Sequence, residues 1–257
     1  MPQISSMNND KLLEPISSKE ISNVIKKLPN NKSSGADGLL YEFYKSLSPS
    51  LLLHLTLLFN QVLLMNTSPL SWKASNIVLI PKKSEDKLLI QNWRPIALLN
   101  SDCKIFMKIV ANHLNKKILN TIIGNHQSGF CANRNILDAF LEYNMILENP
   151  NKIPTPSWLV FLNQKKAYDR VNHKYLLQSL TSFGFSTHFC ELIRGLYRNQ
   201  TAKDLLLIHH HCPFSKWKFS LLWSFLPHSL SFFISNFLVR SRKPAWTLYL
   251  SSRKPVC

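Results

Sequence analysis

The chain is expected to fold as an α+β protein. Three observations predict it. Several segments repeat apolar residues at helical spacing, and a few short apolar runs read as strands. The two kinds do not alternate regularly, which argues against a parallel βαβ fold. At 257 residues and 45% hydrophobic, the chain is long enough to bury a sizeable core.

Taken in order, SSKEISNVIKKL reads as a helix. Ser17 or Ser18 can cap it, Ile21, Val24, Ile25 and Leu28 share one face, and Pro29 closes it. NNKSSGADGL is a polar, glycine-bearing loop, and residues 41–65 read as one or two buried helices broken near Pro49. SNIVLIPKK is a short strand running into a basic loop, and NWRPIALLN a second extended piece, Pro95 biasing Arg94 away from helix. DCKIFMKIVANHLNKKIL predicts an amphipathic helix with a basic outer face, its apolar residues at 105, 106, 109, 110 and 114. HQSGFCANRN is a loop before a further helix. WLVFL places a buried strand at 159–162, and HKYLLQSLTSFGF and THFCELIRGLYRN are two helices joined near Gly184.

Charge narrows the partners. The 31 Lys and Arg against 14 Asp and Glu give +17, which favours a polyanion: nucleic acid first, an anionic membrane surface second. Five widely spaced cysteines without a CxxC pair suit a reducing compartment. The N-terminus lacks the apolar core of a secretory signal, so an intracellular site, nuclear or cytoplasmic, is expected. The most apolar stretch, Phe219–Val239, carries Pro227, His228, Asn236 and five serines and reads as poor membrane material. Composition changes after Asp204: residues 205–257 hold seven Lys and Arg but no Asp, Glu or Gly. The first 204 residues hold 24 basic and all 14 acidic residues, a net 24 − 14 = +10. Three parts are therefore expected: a tail at 1–13, a folded region at 14–204 and an irregular tail at 205–257.

Several residues can carry chemistry. Lys32 stands in a glycine-bearing loop that could approach phosphates through backbone N–H groups, or simply turn the chain. Lys82 and Lys83 leave one strand and Arg94 enters the next, so a hairpin would gather all three at one end. Such a cluster can grip a triphosphate, Arg by its bidentate fork and Lys as a point charge, or be a solvated tip. Gln127, Gly129 and Arg134 lie in a polar loop, with a phosphate contact or a surface role open to Arg134. His209, His210, His211 and Cys212 are metal-ligand types, but adjacent side chains diverge and do not converge on one ion unaided. In AYDRVNH, Asp169 can be the N-cap of the helix that follows, a structural role favoured over a catalytic one.

The order of these blocks is more specific than any one of them. NNKSSGADGLLYEFYK, WKASNIVLIPKK, NWRPIALLN, KIFMKIVANHL, HQSGF with Arg134, VFLNQKKAYDRV and GFSTHFCELIRGLY resemble, in order and spacing, the reverse transcriptase of non-LTR retrotransposons of the long interspersed element type. The likeness covers roughly residues 14 to 203. It implies a right-hand polymerase fold, here fingers and an incomplete palm, acting on RNA and DNA as template–primer. By that resemblance Lys82 or Lys83 and Arg94 grip the incoming triphosphate, and Lys32, Gln127, Gly129 and Arg134 lie along the template. Tyr168 would screen against a ribose 2′-hydroxyl, and Asp169 would be mainly structural.

Two departures stand out. The family's first palm motif has a magnesium-binding Asp where this chain has Asn163, and no Asp-Asp pair occurs anywhere in the sequence. Two-metal phosphoryl transfer needs anionic oxygens to fix paired Mg²⁺ ions, whereas Asn163 offers one neutral carbonyl. The intact family uses Mg²⁺; for this chain no cofactor and no metal site are expected, and polymerase activity is expected to be absent. A shifted reading frame or a mis-joined gene would account for the acid-free tail. The alternative reading is a non-catalytic, basic nucleic-acid-binding protein that keeps the fingers. A palm without its central hairpin would also leave an unpaired strand edge and apolar surface. Nothing in the sequence specifies an oligomeric state.

Overall fold

The structure, a computed structural model, describes residues 3–83, 86–118, 122–124, 127–129, 131, 133–148 and 171–204. Helices α1 (Ser6–Leu12), α2 (Ser18–Lys26), α3 (Tyr41–Lys45) and α4 (Pro49–Met65) come first. Strands β1 (Ala74–Pro81) and β2 (Trp93–Leu98) follow, then α5 (Ser101–Lys117), α6 (Ile136–Glu148), α7 (His173–Ser182), α8 (Thr187–Tyr197) and β3 (Thr201–Asp204). The arrangement is mixed α+β, with one three-stranded sheet in the order β2-β1-β3. β1 pairs antiparallel with β2 and parallel with β3. Pro95 sits on β2, which forms one edge of this sheet as described, where a proline is tolerated.

Local chemistry accounts for most element ends. The hydroxyls of Ser5, Ser17, Ser48 and Ser186 each accept a backbone N–H in the first turn of the helix that follows. Pro49 starts α4 at a position where its missing N–H costs nothing. α4 ends on Asn66 in the left-handed region, a conformation asparagine tolerates better than most residues. Gly184, at φ +80°, makes the turn between α7 and α8.

The core centres on α5. Ile105, Phe106, Ile109 and Leu114 are fully buried, and Phe106 packs with Phe59 of α4 and with Trp72 at ring separations of 5.4 and 5.2 Å, Phe59 and Trp72 lying 6.1 Å apart. The outer face of α5 is narrow, with Lys108 exposed and Lys104 half-buried. Cys103, Met107, Val110 and Ala111 are buried too, because α1 and α2 both pack against this helix. The expectation for α4 needs correction. Phe59, Val62 and Leu63 face the core, while Leu53, Leu57, Leu64 and Met65 are exposed. Its sequence is apolar all round, so periodicity could not choose a face.

Two elements were not visible in the sequence. Residues 1–13, expected as a tail, contain α1, with Leu12 and Ile4 in the core. β3, only four residues long, joins β1 by parallel pairing, Ala74 with Thr201 and Ile77 with Asp204. The expected strand at 159–162 and the tail at 205–257 lie outside the described residues.

Candidate nucleic-acid interface

The β1–β2 hairpin gathers the basic residues as its spacing suggested. Ile80 pairs with Arg94 and Pro81 with Trp93, and the Lys82 N–H donates to the Asn92 carbonyl at 2.8 Å. Lys82, Lys83 and Arg94 thus share one end of the ladder, with Lys83 and Arg94 exposed and Lys82 half-buried. The returning loop is organised by its own bonds. Trp93 Nε1 donates to the Lys87 carbonyl and Asn92 Nδ2 to the Asp86 carbonyl, both at 2.8 Å. Leu88, Leu89 and Ile90 are exposed beside Lys87, giving the tip an apolar as well as a basic character.

The loop bearing Lys32 is anchored elsewhere. Gly35 lies against the start of α5 so closely that a Cβ there would fall 2.2–2.4 Å from atoms of Leu99 and Asn100. Asn100 Oδ1 accepts the Asp37 N–H at 3.4 Å, and its amide donates to the Ser71 carbonyl at 3.0 Å. Ser101 Oγ donates to the Leu39 carbonyl at 2.6 Å, and Lys104 Nζ to the Ser33 carbonyl at 3.0 Å. Lys104 also lies 5.7 Å from the Tyr41 ring centre, and burial pulls its ammonium pKa down. The glycine is there for close approach, and Lys32 itself is exposed. Asn100 lies six residues beyond Arg94 along β2 and its exit, up to about 20 Å of extended chain. The loop's anchor and the hairpin tip therefore sit at opposite ends of β2.

Arg134 is spent on its own loop. Nη1 donates to the carbonyls of Gly124 and Gln127 at 2.5 and 2.9 Å, and Nη2 to that of Ile123 at 3.3 Å. Three carbonyl acceptors on one guanidinium make Arg134 the staple that holds Ile123, Gly124 and Gln127. Gln127 contributes its backbone to this staple, and Gly129 is exposed at the loop surface. A phosphate contact by Arg134, open from the sequence, would compete with these bonds.

At the start of α5 lies a node that sequence reasoning missed. Trp72 Nε1 donates to Asp102 Oδ2 at 2.7 Å, and Asp102 Oδ1 accepts the Cys103 N–H at 2.7 Å. Burial raises the Asp102 pKa, the Trp72 bond opposing it, and burial likewise raises those of Tyr44 and Cys103. Asn100 stands at the N-cap of α5 yet caps nothing with its side chain, which serves the 35–37 loop and Ser71 instead. The only available signal was the run NSD at a helix start, which looks like ordinary capping.

Asn163, Tyr168 and Asp169 lie outside the described residues, as do His209–Cys212. The N-cap of α7 is Asn172, whose side chain accepts the Lys174 N–H at 2.8 Å, so the capping expected of Asp169 falls to Asn172. Among the described residues no group of three or more His, Cys, Asp or Glu could hold a metal, and no helix is long and apolar enough to cross a membrane.

Residues 80–227 match the family model described as reverse transcriptase (RNA-dependent DNA polymerase). The chain belongs to the reverse transcriptase family. Among its relatives, the transposon TX1 149 kDa protein of Xenopus laevis is 33% identical over 77% of this chain and 15% of its own length. The RNA-directed DNA polymerase from the mobile element jockey of Drosophila melanogaster is 31% identical over 64% of this chain and 18% of its own. The probable RNA-directed DNA polymerase from transposon BS of the same species is 29% identical over 65% and 19%. The resemblance to non-LTR retrotransposon reverse transcriptases is thereby borne out, and the chain spans under a fifth of the length of these relatives. The reverse transcriptase match runs to residue 227, so the end of the matched range and the change of composition after 204 do not coincide.

Proposed function

We propose that this chain is the fingers and an incomplete palm of a non-LTR retrotransposon reverse transcriptase, without polymerase activity of its own. One observation carries the reading. Asn163 stands where the family's palm motif supplies the Asp that holds both magnesium ions, and the chain contains no Asp-Asp pair. The donor set does not fit the metal pair: one neutral carbonyl cannot replace a bridging carboxylate around a hard dication. Losing a single oxyanion-hole donor can cost about 100- to 1,000-fold in rate, and a bridging charge should cost at least as much. In this reading Lys82, Lys83 and Arg94 form the triphosphate grip, with Tyr168 as the sugar screen. Lys32, Gln127 and Gly129 follow the template, Arg134 holds the loop of Gln127 and Gly129, and Asp169 is structural. Primer extension on an RNA template with Mg²⁺ or Mn²⁺ tests it. No template-dependent dNTP incorporation is expected, for the chain as it stands or for Asn163→Asp, and incorporation by the purified chain would overturn the claim.

A second reading, retention of nucleic-acid binding without chemistry, is favoured by the net +10 of residues 1–204 and by the exposed basic hairpin end. RNA and DNA are the partners it implies, inside the cell. Binding to a labelled oligonucleotide should weaken linearly in log–log terms as salt rises. A salt-insensitive signal would exclude it.

A further inference from the structure

A cleft outside the hairpin and the 123–134 loop remains without a role. α7 and α8 form an antiparallel pair, and the first turn of α7 faces the last turn of α8. Between them lies a cavity of about 210 Å³, lined by His173, Leu176 and Leu177 from α7 and by Arg194, Tyr197 and Arg198. His173, Leu176 and Leu177 are i, i+3 and i+4 on α7, and Arg194 and Tyr197 are i and i+3 on α8, so helical geometry turns each set to one side. Arg198 reaches the cavity from the extended residue that ends α8. The rings of His173 and Tyr197 lie 4.7 Å apart at 37°. The Tyr197 hydroxyl is buried and makes no hydrogen bond, though a buried phenol normally finds one. Arg194 is engaged by Glu191 at 2.6 Å, which leaves Arg198, exposed, as the other lining cation.

Aromatic faces, aliphatic walls, guanidinium groups and one unanswered hydroxyl are what an unstacked nucleobase and its phosphate require. A bare phosphate would have no use for the leucines or the ring pair. We propose that this cleft binds one nucleotide unit, its base against His173 and Tyr197 with the Tyr197 hydroxyl bonded to the base edge, and its phosphate on Arg198. Burial lowers the His173 pKa, which keeps the ring neutral and suited to stacking. The proposal rests on the nucleic-acid reading above when the nucleotide belongs to a strand. A free nucleotide is the other source.

The test uses the full chain and a single-stranded RNA oligonucleotide carrying 4-thiouridine. Photo-crosslinking followed by peptide mass mapping is expected to find adducts on residues 173–198. Tyr197→Leu and Arg198→Gln should each weaken binding on the order of 10-fold with an unchanged thermal melt. An abasic oligonucleotide of equal charge should bind wild type and Tyr197→Leu alike. Competition by uridine monophosphate would mark the free nucleotide as a ligand, and its failure would confine the site to strands. Should Lys82→Gln/Arg94→Gln weaken binding while the cleft variants and the crosslink map show nothing at 173–198, the cleft is refuted and the nucleic-acid reading stands. Should the wild type bind neither strand nor mononucleotide at low salt, both fail.

Discussion

Asp102 shows how one side chain fixes the meaning of its neighbours. Its two oxygens satisfy Trp72 Nε1 and the Cys103 N–H, inside a ring cluster that buries Phe59 and Phe106. Removing it leaves a buried indole N–H without an acceptor. Asp102→Ala is therefore expected to lower stability by about 1–3 kcal/mol in urea melts, and Asp102→Asn, which keeps an acceptor for Trp72, by less. Gly35 is constrained by space. Any Cβ there collides with the backbone of Leu99 and Asn100, so Gly35→Ala should cost about 1–3 kcal/mol by the same measurement. His173 adds a pH dependence. Burial lowers its pKa from the ordinary 6.5, so the folded chain binds the proton less readily than the unfolded one. Its contribution is complete above about pH 6.5 and falls as the pH drops below it. Urea midpoints at pH 7.5 and 5.5 should differ less for His173→Leu than for the wild type.

At the level of elements, the N-terminal segment acts as a clamp. Asn9 Nδ2 donates to the Gly184 carbonyl at 2.7 Å, its Oδ1 accepts the Ser186 N–H at 2.9 Å, and the Ile4 N–H reaches the Phe183 carbonyl at 2.9 Å. These bonds tie the turn between α7 and α8 to a helix more than 170 positions away in the chain. Asn9→Ala should lose about 1–2 kcal/mol and speed amide exchange at residues 184–186, detectable by hydrogen–deuterium exchange. The same turn has no room for ordinary residues, since Gly184 adopts φ +80° with Ile4 against it. α8 is held on its other side by His188, whose Nε2 contacts the Leu63 carbonyl at 2.8 Å. Gly195 there approaches the Asn66 carbonyl so closely that a Cβ would fall 2.1 Å away. The helix pair that lines the nucleotide cleft is thus braced at the turn and along α8.

For the molecule as a whole, charge and missing carboxylates point in different directions. A +17 chain has every electrostatic reason to meet nucleic acid, and in the proposed reading Asn163 in the palm motif leaves little means of catalysing on it. Binding without turnover is the expected phenotype. Neutralising Lys82, Lys83 and Arg94 together should lower the salt slope by up to about 3 in a log–log plot of affinity, one unit for each phosphate released. A slope unchanged by the triple variant would separate the hairpin from the nucleic-acid path. These relatives are far longer than this chain.

Legible in the sequence were the family, the mixed α+β class, the serine cap of α2 and the hairpin that collects Lys82, Lys83 and Arg94. Each of these depends on short-range spacing: serine before an apolar repeat, two extended runs around a turn, motif blocks in order. Tertiary structure alone decided the rest. It turned Arg134 inward onto three carbonyls, gave Asn100 to a loop more than 60 residues away, folded residues 6–12 into a helix on α5, and set His173 beside Tyr197. Those outcomes depend on which groups meet across long stretches of chain. A buried donor takes the nearest acceptor in space, and no local pattern records where that acceptor is.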